Sequence, residues 1–574
     1  MLTKCRPNEI IFKVIQLILI IGWTLSLIKT HSEFSIYLVA AAAAVLSCIF
    51  TELKITLLRN KVMTGIAAVI MSLCVTLANY RIAAVYTDNT ILAALIFVFI
   101  FISGYTVFAN IMKWVFQHTE GFAWKSVQHK LKAGHAFIIV FAALTLIYSV
   151  ILVIGYYPGV LTPDSITQLD QIGSGVYTNH HPFFHTMLIR LCLWLGNTIF
   201  ASANIGTAIY SELQIILLAA SLAYVLMTLH QMKLSYKLTV PVFAWFVLMP
   251  YFFLYAITMW KDTLFGAACA VLVTSLFRLT NRIGRSWSNY ILLVLGSLGT
   301  CLLRSNGWLV FICLLIVSLF VYGKKFRKML FVLFVSLMVS VVLKYPILSA
   351  LNVTQPDLIE SLSIPCQQIA RVLADGEELT ADQTALLANV IDVDKIAGEY
   401  LDYTSDNIKL LVRAKDNQDY IKEHKLEFIK LYIEIGLQHP ASYFKGWVDE
   451  TVGYWNGGYG YWSSTEIELN NSGISRTVNS YKLRSLLDKY TDLFTNCPVT
   501  QPLTASGLCT WIAIGLLAVG IARKKKSAVL TVPALALVAT LMIATPICAE
   551  FRYEYAAFTT LPVMFFASFG KCSN

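Results

Sequence analysis

The strongest constraint on this chain is a series of apolar runs separated by short charged clusters. Each run is roughly 16 to 25 residues long, enough for a helix to cross a hydrocarbon core of about 30 Å. Of the 574 residues, 57% are apolar and only 13% are charged, whereas soluble proteins average about 25% charged residues. The sequence therefore predicts an integral membrane protein and excludes a soluble enzyme, a DNA-binding protein and a disordered scaffold.

The order of the runs predicts an all-α polytopic membrane protein with about 14 transmembrane helices. The predicted spans lie near residues 10–29, 36–52, 63–84, 90–112, 135–156, 205–229, 238–257, 259–277, 288–303, 307–322, 327–346, 507–522, 528–546 and 553–570.

The net charge of +11 is unevenly distributed along the chain. Residues 347–503 carry 22 acidic and 13 basic side chains, and the apolar remainder is strongly basic. A basic excess of this kind is typical of short cytoplasmic loops rather than of a nucleic-acid binder. We therefore distinguish four regions: N-terminal membrane helices (1–134), a membrane core (135–346) with an outer loop (157–204), an acidic and mainly helical soluble domain (347–503), and C-terminal membrane helices (504–574).

The loop charges also predict an orientation. If the N-terminus is cytoplasmic, every large basic cluster, from residues 54–61 to residues 523–526, falls on the cytoplasmic side. This requires the run at 183–200, which contains His185 and Arg190, to lie on the outer face as an interfacial or re-entrant helix. Both termini are then cytoplasmic and the domain 347–503 is extracytoplasmic, which suits a bacterial plasma membrane.

Polar residues that are unusual at the edge of the hydrocarbon collect in four predicted outer loops. They are Asp164, His180, His181, Lys261, Asp262, Arg304, Arg552 and Tyr553. A charge at this depth costs roughly 3 kcal/mol unless it is paired or hydrated, so such residues are candidates for function. The structural alternatives are a solvated turn for Lys261 and Asp262, lipid anchoring for the two arginines, polar surface for the histidines and a helix N-cap for Asp164.

This combination of an acid, two histidines and two arginines suits an enzyme that transfers a group from a lipid phosphate to an acceptor. A carboxylate can act as a general base toward a hydroxyl or amine, while cations hold the phosphate by charge-assisted hydrogen bonds. The glycine-rich stretch at 453–464 adds flat rings of the kind that stack on sugars, with a plain aromatic turn as the alternative. These rings belong to Tyr454, Trp455, Tyr459 and Trp462.

Four short motifs at these positions resemble those of the GT-C superfamily of membrane glycosyltransferases, most of all its protein O-mannosyltransferase and aminoarabinose transferase branch. TPDS at 162–165 resembles the acid of the first outer loop, and HHPFFHT at 180–186 resembles the His-Pro element. FRYEY at 551–555 resembles the late Arg-Tyr element, and WKDTLFG at 260–266 resembles a second outer acid. The resemblance covers about 150–346 and 507–570, and leaves the first four spans and the domain 347–503 unexplained.

The resemblance implies a GT-C-like bundle and an inverting glycosyltransferase. It would move a sugar from a polyprenyl-phosphate donor to a glycan, lipid or protein acceptor of the cell envelope, with no nucleic acid involved. Asp164 would be the base, and Arg552, with Arg304 or Lys261, would hold the phosphate. The two adjacent histidines would contact donor or acceptor.

The sequence leaves several alternatives open. No cofactor is firmly implied, although a divalent metal held by Asp164 and Asp262 is one option, because oligosaccharide-transferring relatives use such an ion. A multi-span transporter or lipid flippase, a polysaccharide polymerase and a non-catalytic membrane anchor are the alternatives to a transferase. Cys366 and Cys497, the two cysteines of the acidic domain, would be able to form a disulfide in an oxidising compartment.

Overall fold

The computed structural model describes residues 7–28, 35–50, 57–119, 126–457 and 465–569. Within these ranges the chain forms helices and isolated β-bridges but no extended strand, and the predicted all-α fold is confirmed. The N-terminal helices are α1 (Pro7–Ile28), α2 (Ser35–Phe50), α3 (Leu58–Ala78), α4 (Ile82–Tyr86), α5 (Thr90–Thr119) and α6 (Ala133–Gly155).

The central helices follow the predicted runs with one break. They are α7 (Pro163–Ser174), α8 (Phe183–Phe200), α9 (Ala203–Gln231), α10 (Tyr236–Leu248), α11 (Pro250–Ile257), α12 (Lys261–Thr280), α13 (Ser286–Leu302), α14 (Gly307–Tyr322), α15 (Arg327–Val342) and α16 (Leu348–Ala350). The single span predicted near 238–257 is two helices bent by 51°. Pro250 causes the bend, because a proline lacks the N–H and forces the residue before it, Met249 (φ −69°, ψ 119°), into an extended conformation.

The remaining helices belong to the acidic region and the C-terminal membrane segment. They are α17 (Ser363–Ala374), α18 (Ala381–Ala388), α19 (Val393–Glu399), α20 (Asp406–Lys415), α21 (Gln418–Glu423), α22 (Lys425–Gln438), α23 (Pro440–Trp455), α24 (Tyr481–Asn496), α25 (Ser506–Ala522), α26 (Val532–Ala544) and α27 (Tyr555–Phe569). Cys366, in α17, and Cys497, at the end of α24, are both free thiols, so the disulfide considered from the sequence does not form.

The described part of the chain contains nine helices long and apolar enough to cross a bilayer, or ten if α10 and α11 form one span. One of the nine is the continuous stretch Gly307–Ala350, which turns back at Gly323–Phe326. Lys344 Nζ donates to the carbonyl of Ser305 (2.8 Å), so α14 and α15 run antiparallel. Another of the nine is α8, whose interfacial placement stays a prediction.

The basic helix ends that were predicted to share one side of the membrane do lie together. Arg59, at the start of α3, donates to the carbonyl of Ile521 at the end of α25. Arg523 donates to Thr119 at the end of α5. The termini of α3, α5 and α25 that carry basic residues therefore meet at one end of the bundle.

Helices α17 to α22, together with Tyr443 of α23, enclose one apolar core within the acidic region. Helices α23 and α24 also lie against the membrane helices. Trp447 Nε1 of α23 donates to the carbonyl of Met542 in α26 (2.9 Å). Tyr156, after α6, donates its hydroxyl hydrogen to Asp488 of α24 (2.6 Å). The predicted domain 347–503 thus contains a helical subdomain, α17 to α22, and two helices, α23 and α24, that connect it to the membrane bundle.

The N-terminal helices are joined to this subdomain by a group of ion pairs. Arg81, between α3 and α4, contacts Asp449 of α23 at 2.6 Å, and Arg371 of α17 contacts the same oxygen at 3.0 Å. The hydroxyl of Tyr80 also donates to Asp449 (2.9 Å). The first helices therefore hold α17 and α23 in place, a structural role that the sequence alone did not reveal.

Candidate active site at one end of the bundle

Two loops pair before they enter helices, and this pairing brings the candidate residues together. The amide of Val160 donates to the carbonyl of Ile257 (2.9 Å), and the amide of Met259 donates back to Val160 (2.9 Å). The two bridged segments run parallel to each other. The helices that follow them, α7 and α12, therefore start side by side. Their first residues, which include Asp164 and Lys261, are therefore neighbours.

The start of α7 is capped by other residues, which leaves Asp164 available. The amide of Thr162 donates to Ser165 Oγ (3.1 Å), and Trp260 Nε1 donates to Thr162 Oγ1 (2.7 Å). The capping residue is thus Thr162. The alternative in which Asp164 serves only as the N-cap is not what the structure adopts.

Asp164 sits among three groups that all contact its Oδ2 atom. Lys261 Nζ is 2.7 Å away, Arg552 Nη1 is 2.9 Å away and His181 Nδ1 is 3.8 Å away. About a fifth of the Asp164 side chain remains exposed. Burial opposes ionisation, yet Arg552 and Lys261 hold the pKa of Asp164 well below its usual value. Asp164 is therefore a carboxylate at neutral pH.

His181 is neutral in this arrangement. Its side chain is 5% exposed, and burial, reinforced by the charge of Lys261, lowers the pKa of His181 well below its usual value. Lys261 Nζ lies 2.9 Å from His181 Nδ1, so the lysine donates to Nδ1 and the ring proton is left on Nε2. His180 is half-buried and packs edge-on to His181, with ring centroids 4.6 Å apart.

A second acid–base pair lies beside the first. Asp262 is fully buried in the first turn of α12, and Arg304 Nη1 contacts its Oδ1 at 2.9 Å. Arg304 Nη1 also donates to the carbonyl of Tyr553 (2.9 Å). The Tyr553 ring lies 4.5 Å from the Arg304 guanidinium and 5.2 Å from that of Arg552. Both arginines are thus held by partners rather than extended toward lipid, and Asp262 is held by Arg304 rather than lying in a solvated turn.

Glu550 gives this cluster a pH-dependent group. Its carboxylate lies 3.4 Å from Arg552, but burial outweighs that charge and raises the pKa of Glu550 to about 7. Glu550 therefore takes up a proton in the folded protein at a pH where the unfolded chain has already lost it.

The raised pKa of Glu550 predicts that the stability of the folded protein changes with pH. A raised carboxyl pKa stabilises the folded state fully below the unfolded pKa of about 4.3, and that contribution, at most about 4 kcal/mol, is lost as the pH rises through about 7. The measurement is the difference between the melting temperatures of the wild type and of Glu550→Gln at each pH from 4 to 8. This difference should fall as the pH rises. The exposed control Glu423→Gln should show no such trend, and parallel curves for Glu550→Gln and wild type would contradict the assignment.

A buried hydrogen-bond network behind Asp164 fixes α7 against its neighbours. His185 Nδ1 lies 2.9 Å from Gln168 Nε2, and His185 Nε2 lies 2.6 Å from the hydroxyl of Tyr210. Tyr210 donates to Gln214 (2.8 Å), which in turn donates to the carbonyl of Thr258 (2.6 Å). Sequence reasoning missed Gln168, Tyr210 and Gln214, because each is an ordinary polar residue within a helix.

Lys344 is a further cation at this end that the sequence analysis did not select. Together with Arg304 and Asn179 it lines a narrow pocket beside α8. In the sequence, Lys344 is a single lysine at the end of an apolar run. Lys261 was selected because it also lies at the edge of an apolar run.

The aromatic stretch is less open than the sequence suggests. Tyr454 is fully buried and donates to the carbonyl of Ile547 (2.7 Å), and Trp455 is 3% exposed. These two rings pack inside the protein and present no open face for a sugar. Tyr459 and Trp462 lie outside the described residues.

The two acids proposed as metal ligands have separate partners. Asp164 binds Lys261 and Arg552, while Asp262 binds Arg304. Within the described ranges no group of three or more His, Cys, Asp or Glu side chains is placed to hold a metal ion.

Comparison with known proteins gives one result. The model of a family described as of unknown function (DUF6020) matches residues 172–572, more than two thirds of the chain. The matched region begins after Asp164 and includes the candidate residues from His180 to Tyr553. No curated protein and no solved structure matches the chain.

Proposed function

This chain belongs to the family of unknown function DUF6020, and we propose that it is a membrane glycosyltransferase. It moves a sugar from a polyprenyl-phosphate donor to a cell-envelope acceptor on the extracytoplasmic face. The observation that carries the proposal is the environment of Asp164, whose Oδ2 contacts Lys261 and Arg552 while no described residue bonds Oδ1. A charged carboxylate can act as a base, and the two cations beside it can bind the phosphate of the donor.

The proposed reaction assigns each group a step. The acceptor hydroxyl attacks the anomeric carbon of the sugar, the bond from that carbon to the phosphate oxygen breaks, and the configuration inverts. Asp164 takes the hydroxyl proton, and the lipid monophosphate leaves with the bonding electrons. Arg552, Lys261 and Arg304 neutralise the charge that develops on the leaving phosphate.

The low pKa of Asp164 fits this sequence of events. A carboxylate of low pKa is always ionised but is a weak base. A bound phosphate competes for Lys261 and Arg552 and so reduces their hold on Asp164, which raises its pKa. Binding of the donor thereby makes Asp164 a stronger base before it takes the proton of the acceptor hydroxyl.

The proposed orientation follows from the two ends of the bundle. The basic ends of α3, α5 and α25 lie together, which supports cytoplasmic termini. The Asp164 site and the α17–α22 subdomain then face outward from a plasma membrane. The proposed GT-C-like bundle of about 14 crossings leaves out α8, counts α10 with α11 as one span and α14 and α15 as two, and adds the shorter helices α2, α13, α25 and α27 to the other candidate spans.

The position of the charges favours a transferase over a transporter. Lys261 begins α12, Arg304 follows α13 and Arg552 precedes α27, so the candidate cations lie at helix ends. A carrier places its binding residues near the bilayer midplane, often at broken helices. The transporter and the polysaccharide polymerase serve as alternative outcomes of the test below.

The test is donor turnover in proteoliposomes. Purified protein is incubated with a panel of polyprenyl-phosphate sugars, and the lipid products are identified by mass spectrometry. We expect lipid monophosphate to appear with one member of the panel and one sugar to be added to an acceptor from a membrane extract. Chains of many sugars would indicate a polymerase, and an unaltered donor that changes leaflet would indicate a flippase and contradict the proposal.

A further inference from the structure

The α17–α22 subdomain contains an apolar cavity that the proposed reaction does not use. Its volume is about 350 Å³. Apart from Cys366, Lys425 and Tyr432, every lining side chain is hydrocarbon. Val412 on α20 and Phe428 on α22 lie on its wall. The cavity falls within the size range of small-molecule binding pockets, about 300 to 1,000 Å³.

The wall of this cavity favours an apolar ligand. It offers few hydrogen-bond partners to water or to a polar molecule. A hydrocarbon chain, in contrast, would bury apolar surface against it.

An exposed apolar stripe on α22 leads to the cavity. It consists of Leu426, Ile429, Ile433 and Leu437, which are 82%, 55%, 52% and 78% exposed. The spacing of three or four residues places them on one face of the helix. Ile429 belongs both to the stripe and to the cavity wall, so the two apolar surfaces are continuous.

The surroundings of the cavity identify the kind of hydrocarbon. The subdomain is connected at both ends to membrane helices, so the chains of bilayer lipids are the apolar molecules within its reach. Lys425 lines the cavity at the first residue of α22. Its ammonium group matches an anionic lipid headgroup, and a lysine with its stem along an apolar surface is a common arrangement at membrane interfaces.

We propose that this cavity binds the hydrocarbon chain of an anionic membrane lipid, with the α22 stripe resting on the bilayer and Lys425 beside the headgroup. The site is separate from the Asp164 cluster, and the proposal does not depend on the glycosyltransferase reaction.

The experiment is photo-crosslinking of the full chain in nanodiscs. The probe is phosphatidylglycerol with a diazirine at the end of one acyl chain, and labelled peptides are mapped by mass spectrometry. We expect label on peptides from residues 358–432 as well as on α6, which serves as the internal reference. Val412→Trp places an indole ring in the cavity and should lower the subdomain label several-fold relative to α6.

The control lies on the same helix as the test residue. Leu410 on α20 is 59% exposed, so Leu410→Trp adds the same ring outside the cavity and should leave the label unchanged. If Val412→Trp does not fold, Ala370→Leu fills the cavity by a smaller amount and should give a partial loss. Absence of label from 358–432 in the wild type, or equal label in the filled variants, would overturn the proposal.

Discussion

Replacing Asp164 with asparagine is expected to lower the rate of sugar transfer by about 10²- to 10⁴-fold, the usual contribution of a general base. Asparagine keeps the size of the side chain but cannot accept the proton of the acceptor hydroxyl. The measurement is the initial rate of lipid monophosphate release in proteoliposomes at saturating donor. Circular dichroism and gel filtration establish that the variant is folded.

The control is another aspartate of α7. Asp170 is exposed on the same helix, so Asp170→Asn removes the same charge from the helix but not from the site. Its turnover should equal that of the wild type. Wild-type turnover by Asp164→Asn would remove Asp164 from the catalytic role.

Replacing Arg304 with methionine is expected to lower the free energy of unfolding by about 3 to 5 kcal/mol, the cost of leaving a buried ion without its partner. Asp262 is fully buried and its carboxylate is held by Arg304 at 2.9 Å. Without the guanidinium, the buried Asp262 loses its ion-pair partner. The measurement is a denaturant titration in mixed micelles.

Two further variants separate stability from function. Arg304→Met combined with Asp262→Leu removes both charges and should recover most of the lost stability, but it should not recover phosphate binding. Arg285, at the opposite end of α13, is exposed, and Arg285→Met should unfold like the wild type. Equal stability of Arg304→Met and wild type would show that the pair contributes nothing to the fold.

The helices were predictable because the bilayer imposes a simple rule on the sequence. A segment of about 20 apolar residues can satisfy its backbone in lipid only as a helix or in a closed barrel. The predicted runs are helical for this reason. Pro250 marks the bend between α10 and α11 in the sequence. The prediction of one span near 238–257 overlooked it.

The candidate site was predicted only as a set of residues. Loop charges placed Asp164, Lys261 and Arg552 at one end, and in the structure Lys261 and Arg552 each lie within 3 Å of Asp164 Oδ2. The sequence did not reveal that Asp262 pairs with Arg304, because such pairings depend on how neighbouring helices pack against each other. The buried positions of Tyr454 and Trp455 depend on packing in the same way.

The central claim is that the cations around Asp164 hold a lipid phosphate. Native mass spectrometry of the detergent-purified protein tests it most directly, with wild type beside Arg552→Ala and the exposed control Arg285→Ala. The account predicts a bound polyprenyl phosphate, or its glycosylated form, in the wild type and in Arg285→Ala, and its loss in Arg552→Ala. A wild-type protein free of any such lipid, or one that retains it equally in Arg552→Ala, would contradict the account.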